Sequence, residues 1–363
     1  MAFRSWLHVR LLSMWTRRGL AAALLPLAWL HGLVRRWLGW RYRGSAAQRL
    51  PVPVVVIGNL YVGGTGKTPL AIELVRMLRA RGRRPGIVSR GYGARNTAPR
   101  AVDPRGSAAE FGDEPVLLAH ATGVPVVVGA DRAQAGHLLL NLHPEIDVIV
   151  TDDGLQHLRL ARDVEIAVID SRGLGNGWLL PAGPLRDPPS RLERVDAVVF
   201  HDAPGVPRPA VRVHSPFFAM ASAAGPVVSL KDPSLRATLA DVAGEQARKG
   251  TRLLAAAGIG VPERFFAMLR DAGLSFESLP LPDHYPYTDN PFAAHRFDLL
   301  LITEKDAVKC RANPALRNDG RICVVTLQAR VDEALAELVL RKLGGQRPAT
   351  DTANRPATDR PTA

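Results

Sequence analysis

The most constraining stretch of this chain is a run of β-branched residues that leads through a glycine-rich loop to a Lys-Thr pair, over residues 54–68. The apolar run is typical of a buried strand, and the Lys-Thr pair opens a predicted helix. Glycines between the two let backbone N–H groups converge on anionic oxygens, and the start of the helix adds partial positive charge. The stretch therefore predicts a phosphate-binding loop formed by Gly63, Gly64, Thr65, Gly66, Lys67 and Thr68.

Lys67 and Thr68 define what this loop is expected to bind. In loops of this kind the lysine reaches the β- and γ-phosphates of a nucleotide, and the hydroxyl binds Mg²⁺. The strict pattern has glycine six residues before the lysine, whereas Tyr61 stands there in this chain. A glycine-rich turn without a ligand is the alternative, and the Gly-Lys-Thr order directly after a buried strand argues against it.

Apolar runs alternate with amphipathic segments after residue 45. Strands are predicted at 52–58, 85–89, 124–128, 146–151, 164–169 and 195–200, and helices near 67–81, 113–121 and 131–142. This alternation predicts an α/β fold of the P-loop NTPase type, with a mainly parallel sheet and helices on both faces. Ligands of such a sheet gather beyond the carboxyl ends of its strands.

A change in composition divides the chain into parts. Residues 201–226 are rich in Pro and Ala and are predicted to leave the first sheet, and a second alternating set begins at Arg252. The predicted parts are a basic, Trp-rich, membrane-associated helical segment at 1–45, a P-loop nucleotide-binding domain at 46–205, a smaller α/β domain at 206–343 and a disordered tail at 344–363.

The N-terminal segment combines basic and aromatic residues without acids. Nine arginines and five of the six tryptophans lie in residues 1–50, and the first acid is Glu73. The remainder of a chain of net charge +13 is therefore only mildly basic. Arginine pairs flank the uncharged stretch 19–34, which is shorter than the roughly 20 residues of a spanning helix. This pattern predicts a helix at the surface of an anionic membrane.

Three other interpretations of the N-terminal segment stay open at this point. They are a helix packed on the protein, a cleavable signal peptide and a nucleic-acid-binding arm. The long Leu/Ala/Trp core argues against the arm, and a clear cleavage site is missing. The two cysteines, Cys310 and Cys323, lack metal-site spacing and indicate a reducing compartment.

Paired acids occur at two informative places. Asp152 and Asp153 come directly after the predicted strand 146–151, where a carboxylate in a phosphate-loop fold holds Mg²⁺. Asp113 and Glu114 begin a predicted helix, where ordinary capping of the helix is the alternative to a functional role.

Basic residues and a histidine complete the candidates. Arg90 follows a predicted strand and is suited to bidentate pairing with phosphate. Arg186 and Asp187 end a long Gly/Pro-rich loop, and long ordered loops are often functional. His284 is open to a catalytic or a structural interpretation. Weaker candidates are Arg132, Gln156 and His157.

Taken together, these motifs resemble those of the tetraacyldisaccharide 4′-kinase family, the lipid A 4′-kinases of Gram-negative bacteria. The resemblance covers about residues 10–340, in the family's order, and Tyr61 is typical of the family. It rests on Gly58-Asn59, Val62–Pro69, Ser89–Gly93, Gly112–Pro115, Asp152–His157, Gly175–Gly177, Leu180–Arg186, Pro282–His284 and Thr303–Asp306.

The resemblance implies an activity and a setting. The activity is transfer of the ATP γ-phosphate to the 4′-hydroxyl of a tetraacyldisaccharide 1-phosphate, in lipid A synthesis. The setting is the cytoplasmic face of the bacterial inner membrane. ATP, Mg²⁺, the lipid A disaccharide 1-phosphate and anionic membrane lipids are the expected ligands and partners. Neither nucleic acid nor an obligate protein partner is expected.

The resemblance also implies roles for individual residues. An aspartate acts with a histidine on the hydroxyl in this family, and Asp113 and His284 stand at those positions. Lys67 holds phosphate. We expect substrate contacts from Arg90, Tyr92 and Arg186, and Mg²⁺ ligands from Thr68 together with one or more of Asp153, Glu114 and Asp187.

Two other protein classes share such a loop. A phosphate-loop ATPase switch or metal chaperone hydrolyses ATP without any lipid acceptor, and a membrane scaffold with a degenerate site binds no ATP. The intact Lys67-Thr68 and Asp152-Asp153 pairs argue against the scaffold.

Overall fold

The computed structural model describes residues 15, 18–42, 46–91, 98–104, 106–202, 208–209, 211 and 213–344. Tyr92, the tail after Gly344 and much of the stretch before Gly19 lie outside these residues, so what was predicted for them stays a prediction.

Strands and helices alternate along the described chain. The strands are β1 (Val54–Gly58), β2 (Pro85–Ser89), β3 (Arg100–Ala101), β4 (Val126–Val128), β5 (Val148–Thr151), β6 (Val164–Asp170), β7 (Ala197–Asp202), β8 (Phe217–Ser229), β9 (Arg236–Ala237), β10 (Leu253–Ala257), β11 (Glu277–Pro280), β12 (Leu299–Thr303) and β13 (Ile322–Val331). The helices are α1 (Leu25–Arg41), α2 (Lys67–Ala80), α3 (Ala108–Phe111), α4 (Asp113–Thr122), α5 (Arg132–Leu142), α6 (Leu239–Lys249), α7 (Pro262–Asp271), α8 (Glu304–Cys310), α9 (Pro314–Arg317) and α10 (Ala334–Gly344). Short 3₁₀ helices lie at Leu20–Leu24 and Pro189–Glu193.

The described strands form one mainly parallel sheet, which confirms the predicted fold class. Their order is β11-β10-β12-β13-β8-β7-β6-β1-β5-β2-β4-β3, and β9 pairs with β8. β1 lies parallel to both β5 and β6, with Val55 opposite Val150 and Val164. Within the described strands, the antiparallel pairs are β3–β4, β8–β13 and β8–β9. The phosphate loop therefore follows a central strand.

The prediction that residues 201–226 leave the first sheet is wrong for the segment that begins at Phe217. β8 pairs in parallel with β7 and antiparallel with β13. Because β8 is largely half-exposed along its length, its sequence lacks the apolar run of a buried strand, and its Pro-Ala composition did not predict a strand. Pro226 is tolerated because the β8–β13 register shifts beside it, between Val325 and Leu327.

The β8–β13 ladder sets the positions of the two groups of parallel strands. β7 pairs with the start of β8, at Phe217–Ala221, whereas β12 pairs with the part of β13 that lies opposite Val227–Ser229. β13 runs opposite to β8, so the two groups run towards each other along the ladder. Their carboxyl ends consequently face each other, and residues from both halves of the chain meet there.

Apolar clusters cover both faces of each group of strands. Val55 and Ile57 point into one cluster and Val54 and Val56 into another, as the alternation of a strand requires. Two further clusters cover the faces of β10 and β12. The C-terminal helix α10 returns to the first group, where Leu335 is fully buried. The predicted domain boundary at 205/206 stays a prediction.

Helix α1 exposes much of its apolar surface. Ala28 is buried, whereas Trp29 is 73% exposed and Trp40 is 68% exposed. We call the following seven side chains the exposed face of α1: Leu27, Trp29, Leu30, Leu33, Val34, Trp37 and Trp40. Within the described ranges, none of the helices combines the length and apolarity needed to cross a membrane.

Candidate active site

The loop between β1 and α2 has the backbone conformation of a phosphate cradle. Gly63 and Gly66 have φ angles of 96° and 97°, which glycine adopts without strain. A Cβ on Gly66 would also collide with the imidazole ring of His201. Next to Gly64, by contrast, a Cβ would meet no described atom within 4 Å, so the loop is open on that side.

Asn59 organises this loop around Lys67. Its side-chain amide donates to the carbonyl oxygens of Tyr61 at 2.7 Å and Gly63 at 3.1 Å. Its Oδ1 accepts from Nζ of Lys67 at 3.3 Å. Nζ of Lys67 also lies 3.7 Å from Oδ1 of Asp153. The lysine is thus held at the mouth of the loop by a buried amide and a carboxylate.

Thr68 and Asp152 form a pair suited to a cation. The Thr68 hydroxyl donates to Oδ2 of Asp152 at 3.0 Å. Burial raises the pKa of Asp152 well above its usual range, and the Glu114 carboxylate raises it further, while Lys67 lowers it. Among the described residues, Oδ1 of Asp152 has no hydrogen-bond partner. A buried carboxylate in that state calls for a positive ligand.

Asp153 is held by two cations. Arg186 makes a bidentate contact with it, at 3.1 Å and 2.8 Å. Burial alone would raise the pKa of Asp153, but Lys67 and Arg186 outweigh it and hold the pKa below the usual range. Arg186 also donates to the side chain of Asn59. The backbone of Asp153 has a φ of 52°, which is uncommon outside glycine and often marks functional sites.

The structure brings Asp113 and His284 together from the two halves of the chain. Oδ2 of Asp113, at the start of α4, lies 2.8 Å from Nδ1 of His284. The same oxygen lies 2.8 Å from Nζ of Lys309, in α8. Burial would raise the pKa of Asp113, but His284 and Lys309 lower it below its usual range. Asp113 is therefore an ionised carboxylate at neutral pH.

His284 owes its position to strand β10. Its backbone N–H donates to the carbonyl oxygen of Gly258, directly after β10, at 3.2 Å. Its φ of 59° turns the chain sharply at this point. Gly258 is fixed in turn because its N–H donates to Asp306, at 3.1 Å and 3.2 Å from the two carboxylate oxygens.

Helix α8 presents two lysines, one turn apart, to the two acids that begin α4. Lys309 reaches Asp113, and Nζ of Lys305 lies 3.5 Å from Oε1 of Glu114. Glu114 in turn raises the pKa of Asp152, so the start of α4 lies within electrostatic reach of the phosphate loop. Asp113 and His284 therefore lie near the phosphate loop.

Asp187 is placed differently from the expectation that it binds Mg²⁺. Its Oδ1 accepts from Nε of Arg35 at 2.7 Å, and its Oδ2 accepts from Nε2 of Gln156 at 2.7 Å. Both oxygens are thus engaged with protein donors. This placement lends no support to metal binding by Asp187, which stays a prediction.

The remaining basic candidates lie beside the same edge of the sheet. Arg90 follows β2 and is exposed. Burial, and then the charge of Arg90, lowers the pKa of Arg132 to about 10. Burial, and then Arg132, lowers the pKa of His157 to about 4, so its ring is neutral at pH 7. Nε2 of His157 accepts from the backbone N–H of Arg132 at 3.3 Å. Tyr92, the other predicted substrate contact, lies outside the described residues.

The residues present fit a nucleotide and Mg²⁺. The cradle supplies backbone N–H groups and Lys67, and the Thr68–Asp152 pair offers an oxygen without a protein donor. The part of the chain that the structure describes contains no group of three or more His, Cys, Asp or Glu side chains that would hold a metal by itself. Mg²⁺ in nucleotide sites needs only one or two protein ligands besides phosphates and water.

Sequence reasoning assigned no role to Lys309 and left the role of Gln156 open. Lys309 is 6% exposed, although lysine is rarely buried unless paired. The available signal was the four-residue spacing of Lys305 and Lys309, which puts both on one helix face. This spacing predicts contacts with Asp113 and Glu114 only when α8 is known to lie against α4.

A phosphate cradle that shares one site with an ionised carboxylate and its histidine defines a class of protein, the P-loop phosphotransferases. The profile of the family described as "Tetraacyldisaccharide-1-P 4'-kinase" matches residues 20–344. The chain belongs to the tetraacyldisaccharide 4′-kinase family, which confirms the resemblance that the motifs indicated.

Named relatives and a solved structure agree with this assignment. A tetraacyldisaccharide 4′-kinase of Herminiimonas arsenicoxydans is 53% identical over 337 residues, which are 91% of this chain and 94% of that protein. One from Janthinobacterium sp. (strain Marseille) is 51% identical over 94% of this chain and 98% of that protein. The crystal structure described as an "apo" form of LpxK from Aquifex aeolicus in complex with ATP is 29% identical. Its TM-score is 0.75, with 89% of this chain and 99% of that chain covered.

Proposed function

We propose that this protein transfers the γ-phosphate of ATP to the 4′-hydroxyl of tetraacyldisaccharide 1-phosphate. The observation that carries the proposal is the Asp113–His284 contact of 2.8 Å, at the start of a helix whose next residue, Glu114, acts electrostatically on Asp152 beside the phosphate loop. A kinase needs a base that accepts the proton of the acceptor's hydroxyl, whereas a nucleotide switch has no such acceptor. The names of the relatives supply the acceptor.

The loop residues would position and neutralise the transferred group. Lys67 and the backbone N–H groups of 63–66 would hold the β- and γ-phosphates of ATP, which supports in-line transfer through charge stabilisation. Mg²⁺ supplies further neutralisation of phosphate charge when bound. Thr68 and Asp152 would be its best-placed ligands. The carboxylates of Asp153 and Glu114 lie near enough to raise the pKa of Asp152, so they would add negative charge around the ion.

Asp113 would accept the proton of the attacking hydroxyl. The oxygen of that hydroxyl forms the new bond to phosphorus while the bond from phosphorus to the β–γ bridging oxygen breaks, and ADP leaves. His284 orients the carboxylate through Nδ1, and Lys309 keeps it ionised. Arg90, Tyr92 and Arg186 remain the proposed contacts to phosphate groups on nucleotide or lipid.

The exposed face of α1 supports attachment to an anionic membrane surface. Trp29, Trp37 and Trp40 are each more than half exposed, and Trp is favoured at the boundary between water and lipid. Arginines of the same segment suit an anionic leaflet. The proposed location is therefore the cytoplasmic face of the inner membrane, where an acylated substrate lies.

The direct test is transfer of labelled γ-phosphate from ATP to a lipid A disaccharide 1-phosphate, with and without Mg²⁺. Labelled lipid that depends on Mg²⁺ is the expected result. Release of labelled phosphate at the same rate without lipid would contradict the proposal and favour the ATPase switch.

Replacing Lys309 by methionine should move the acid limb of the pH–rate profile to higher pH. Asp113 acts only when ionised, and activity is lost as the pH falls through its pKa. Burial would then raise that pKa from its depressed position, because Lys309 no longer offsets the effect of burial. The measurement is kcat/KM between pH 4 and 9.

Lys305→Met is the matched control for this profile, because Lys305 lies one turn away and pairs with Glu114 instead. Its acid limb should stay at the wild-type pH. An acid limb that does not move in Lys309→Met would show that Lys309 does not set the charge of Asp113.

A triple substitution of Trp29, Trp37 and Trp40 by serine should lower the fraction bound to anionic phospholipid vesicles by about tenfold or more, because large apolar area no longer leaves water. Vesicle co-sedimentation measures this fraction. Leu235→Ser, which changes a side chain 62% exposed in the turn between β8 and β9, is the control and should bind as wild type does. Equal binding by the triple variant would remove the membrane role of α1.

A further inference from the structure

A buried ion pair fixes α1 to the body of the protein. Arg35, in α1, donates through Nε to Oδ1 of Asp187 at 2.7 Å, and its Nη2 lies 2.6 Å from the same oxygen. The Arg35 side chain is 14% exposed and that of Asp187 is 4% exposed. A pair this buried differs from a solvated surface contact, because loss of either partner leaves the other charge uncompensated.

From Asp187 the contacts continue into the phosphate loop. Oδ2 of Asp187 accepts from Nε2 of Gln156 at 2.7 Å, and the same nitrogen donates to the carbonyl oxygen of Asn59 at 2.9 Å. Oδ1 of Asn59 accepts from Nζ of Lys67 at 3.3 Å. A continuous row of polar contacts therefore runs from α1 to the lysine of the loop.

Asn59 is the point where this row acts on the loop. Besides holding Lys67, its amide donates to the carbonyl oxygens of Tyr61 and Gly63 and so sets the curvature of the cradle. Asn59 is fully buried, so a shift of Gln156 against its carbonyl is not absorbed by solvent. Another described contact of α1, from His31 to the carbonyl oxygen of Leu180 at 3.0 Å, does not reach Asn59.

We propose that Arg35 is a positioning residue for nucleotide binding, because through Asp187 and Gln156 it fixes Asn59 and with it Nζ of Lys67. The inference rests on the proposed role of the loop as the ATP site, but not on the identity of the phosphate acceptor. It gives Asp187 a role that its two engaged oxygens support. It also joins the helix that carries the exposed apolar face to the catalytic loop.

The test compares full-length Arg35→Ala with wild type in detergent, where vesicle binding plays no part. The expected result is a rise of about tenfold in the KM for ATP and in the Kd of a fluorescent ATP analogue, with the KM for lipid unchanged. Arg49→Ala is the matched control. Arg49 also pairs with an aspartate whose side chain is 4% exposed, Asp163, at 2.9 Å, but that pair does not lead to Asn59. It should keep both ATP constants.

Two further variants separate this proposal from its alternatives. Asp187→Asn and the Arg35→Ala/Asp187→Asn double variant should each weaken ATP binding about as much as Arg35→Ala alone, since one row is broken in all three. Multiplied effects in the double variant would overturn the proposal. So would a higher Mg²⁺ concentration for half-maximal rate in Asp187→Asn alone, because Asp187 would then be a metal ligand.

The Arg35→Ala/Asp187→Asn double variant also guards against a folding defect, since it leaves neither charge buried without its partner. It should reproduce the loss of ATP affinity with a thermal midpoint closer to wild type than that of Arg35→Ala. Wild-type ATP affinity in Arg35→Ala or in the double variant overturns the proposal. Failure of wild type to phosphorylate the lipid, with ATP binding intact, would contradict the proposed function and leave this inference standing.

Discussion

Substitution of Lys67 by alanine is expected to lower kcat about 10²- to 10³-fold, the usual loss when one preorganised donor to a developing charge is removed. Nζ of Lys67 is held by Asn59 at 3.3 Å and by the carbonyl oxygen of Gly63 at 3.4 Å, so it is aimed before nucleotide arrives. Asp153 keeps its contact with Arg186 in the variant, which preserves the fold. Steady-state phosphate transfer and thermal unfolding measure the two effects.

Lys249→Ala is a suitable control for the loss of a lysine. Lys249 pairs with Glu245 four residues away, at 2.7 Å, and its side chain is 66% exposed. Such surface pairs contribute about 0.3–0.5 kcal/mol. This variant should transfer phosphate at the wild-type rate. Lys67→Ala with wild-type turnover would refute the assignment of the loop as the ATP site.

Substitution of Asp113 by asparagine is expected to lower kcat by about 10²- to 10⁴-fold, since the hydroxyl of the acceptor loses its base. Asparagine is the better choice than alanine because Lys309 is buried against this side chain. A buried lysine left without a partner would cost about 3–5 kcal/mol of stability and confuse the result. An asparagine oxygen can still accept from Lys309 and His284.

The binding of ATP provides the control for this second prediction. Asp113→Asn should bind the fluorescent ATP analogue as tightly as wild type does, because the described polar contacts of the Asp113 carboxylate go to His284 and Lys309 and not to the loop. His284→Ala should also lower kcat, but by less, since it removes the residue that orients the base. Full turnover in Asp113→Asn would exclude Asp113 as the base and require another carboxylate, of which Asp153 is the nearest alternative to Lys67.

Local patterns were sufficient to predict the phosphate loop and the strands around it. β2 has the predicted bounds of 85–89, and α2 begins at Lys67 as expected. These elements depend on a buried apolar run and on glycines, both of which are visible within about ten residues of sequence. The resemblance of the motifs gave the family, which the relatives confirm.

Features that depend on distant partners escaped prediction. β8 has little apolar periodicity of its own and is a strand because β7 and β13 flank it. From the sequence alone, Lys309 is indistinguishable from a solvent-exposed lysine on a helix, because its burial depends on the packing of α8 against α4. The contact between Asp187 and Arg35, 152 residues away, was not predicted either, and metal binding by Asp187 stays a prediction. Pairing across such separations is a property of the tertiary fold.

The shared strand β8 has a practical consequence for dissecting this protein. A fragment that stops at residue 205 would leave the whole edge of β7 without a partner, and open edges of this kind recruit other chains. A fragment that starts at residue 206 would keep the ladder of β8 and β13 but leave the edge of β8 that pairs with β7 without a partner. Separate expression of the halves should thus yield aggregates, whereas co-expressed pieces cut in the loop before β8 have a route to reassemble.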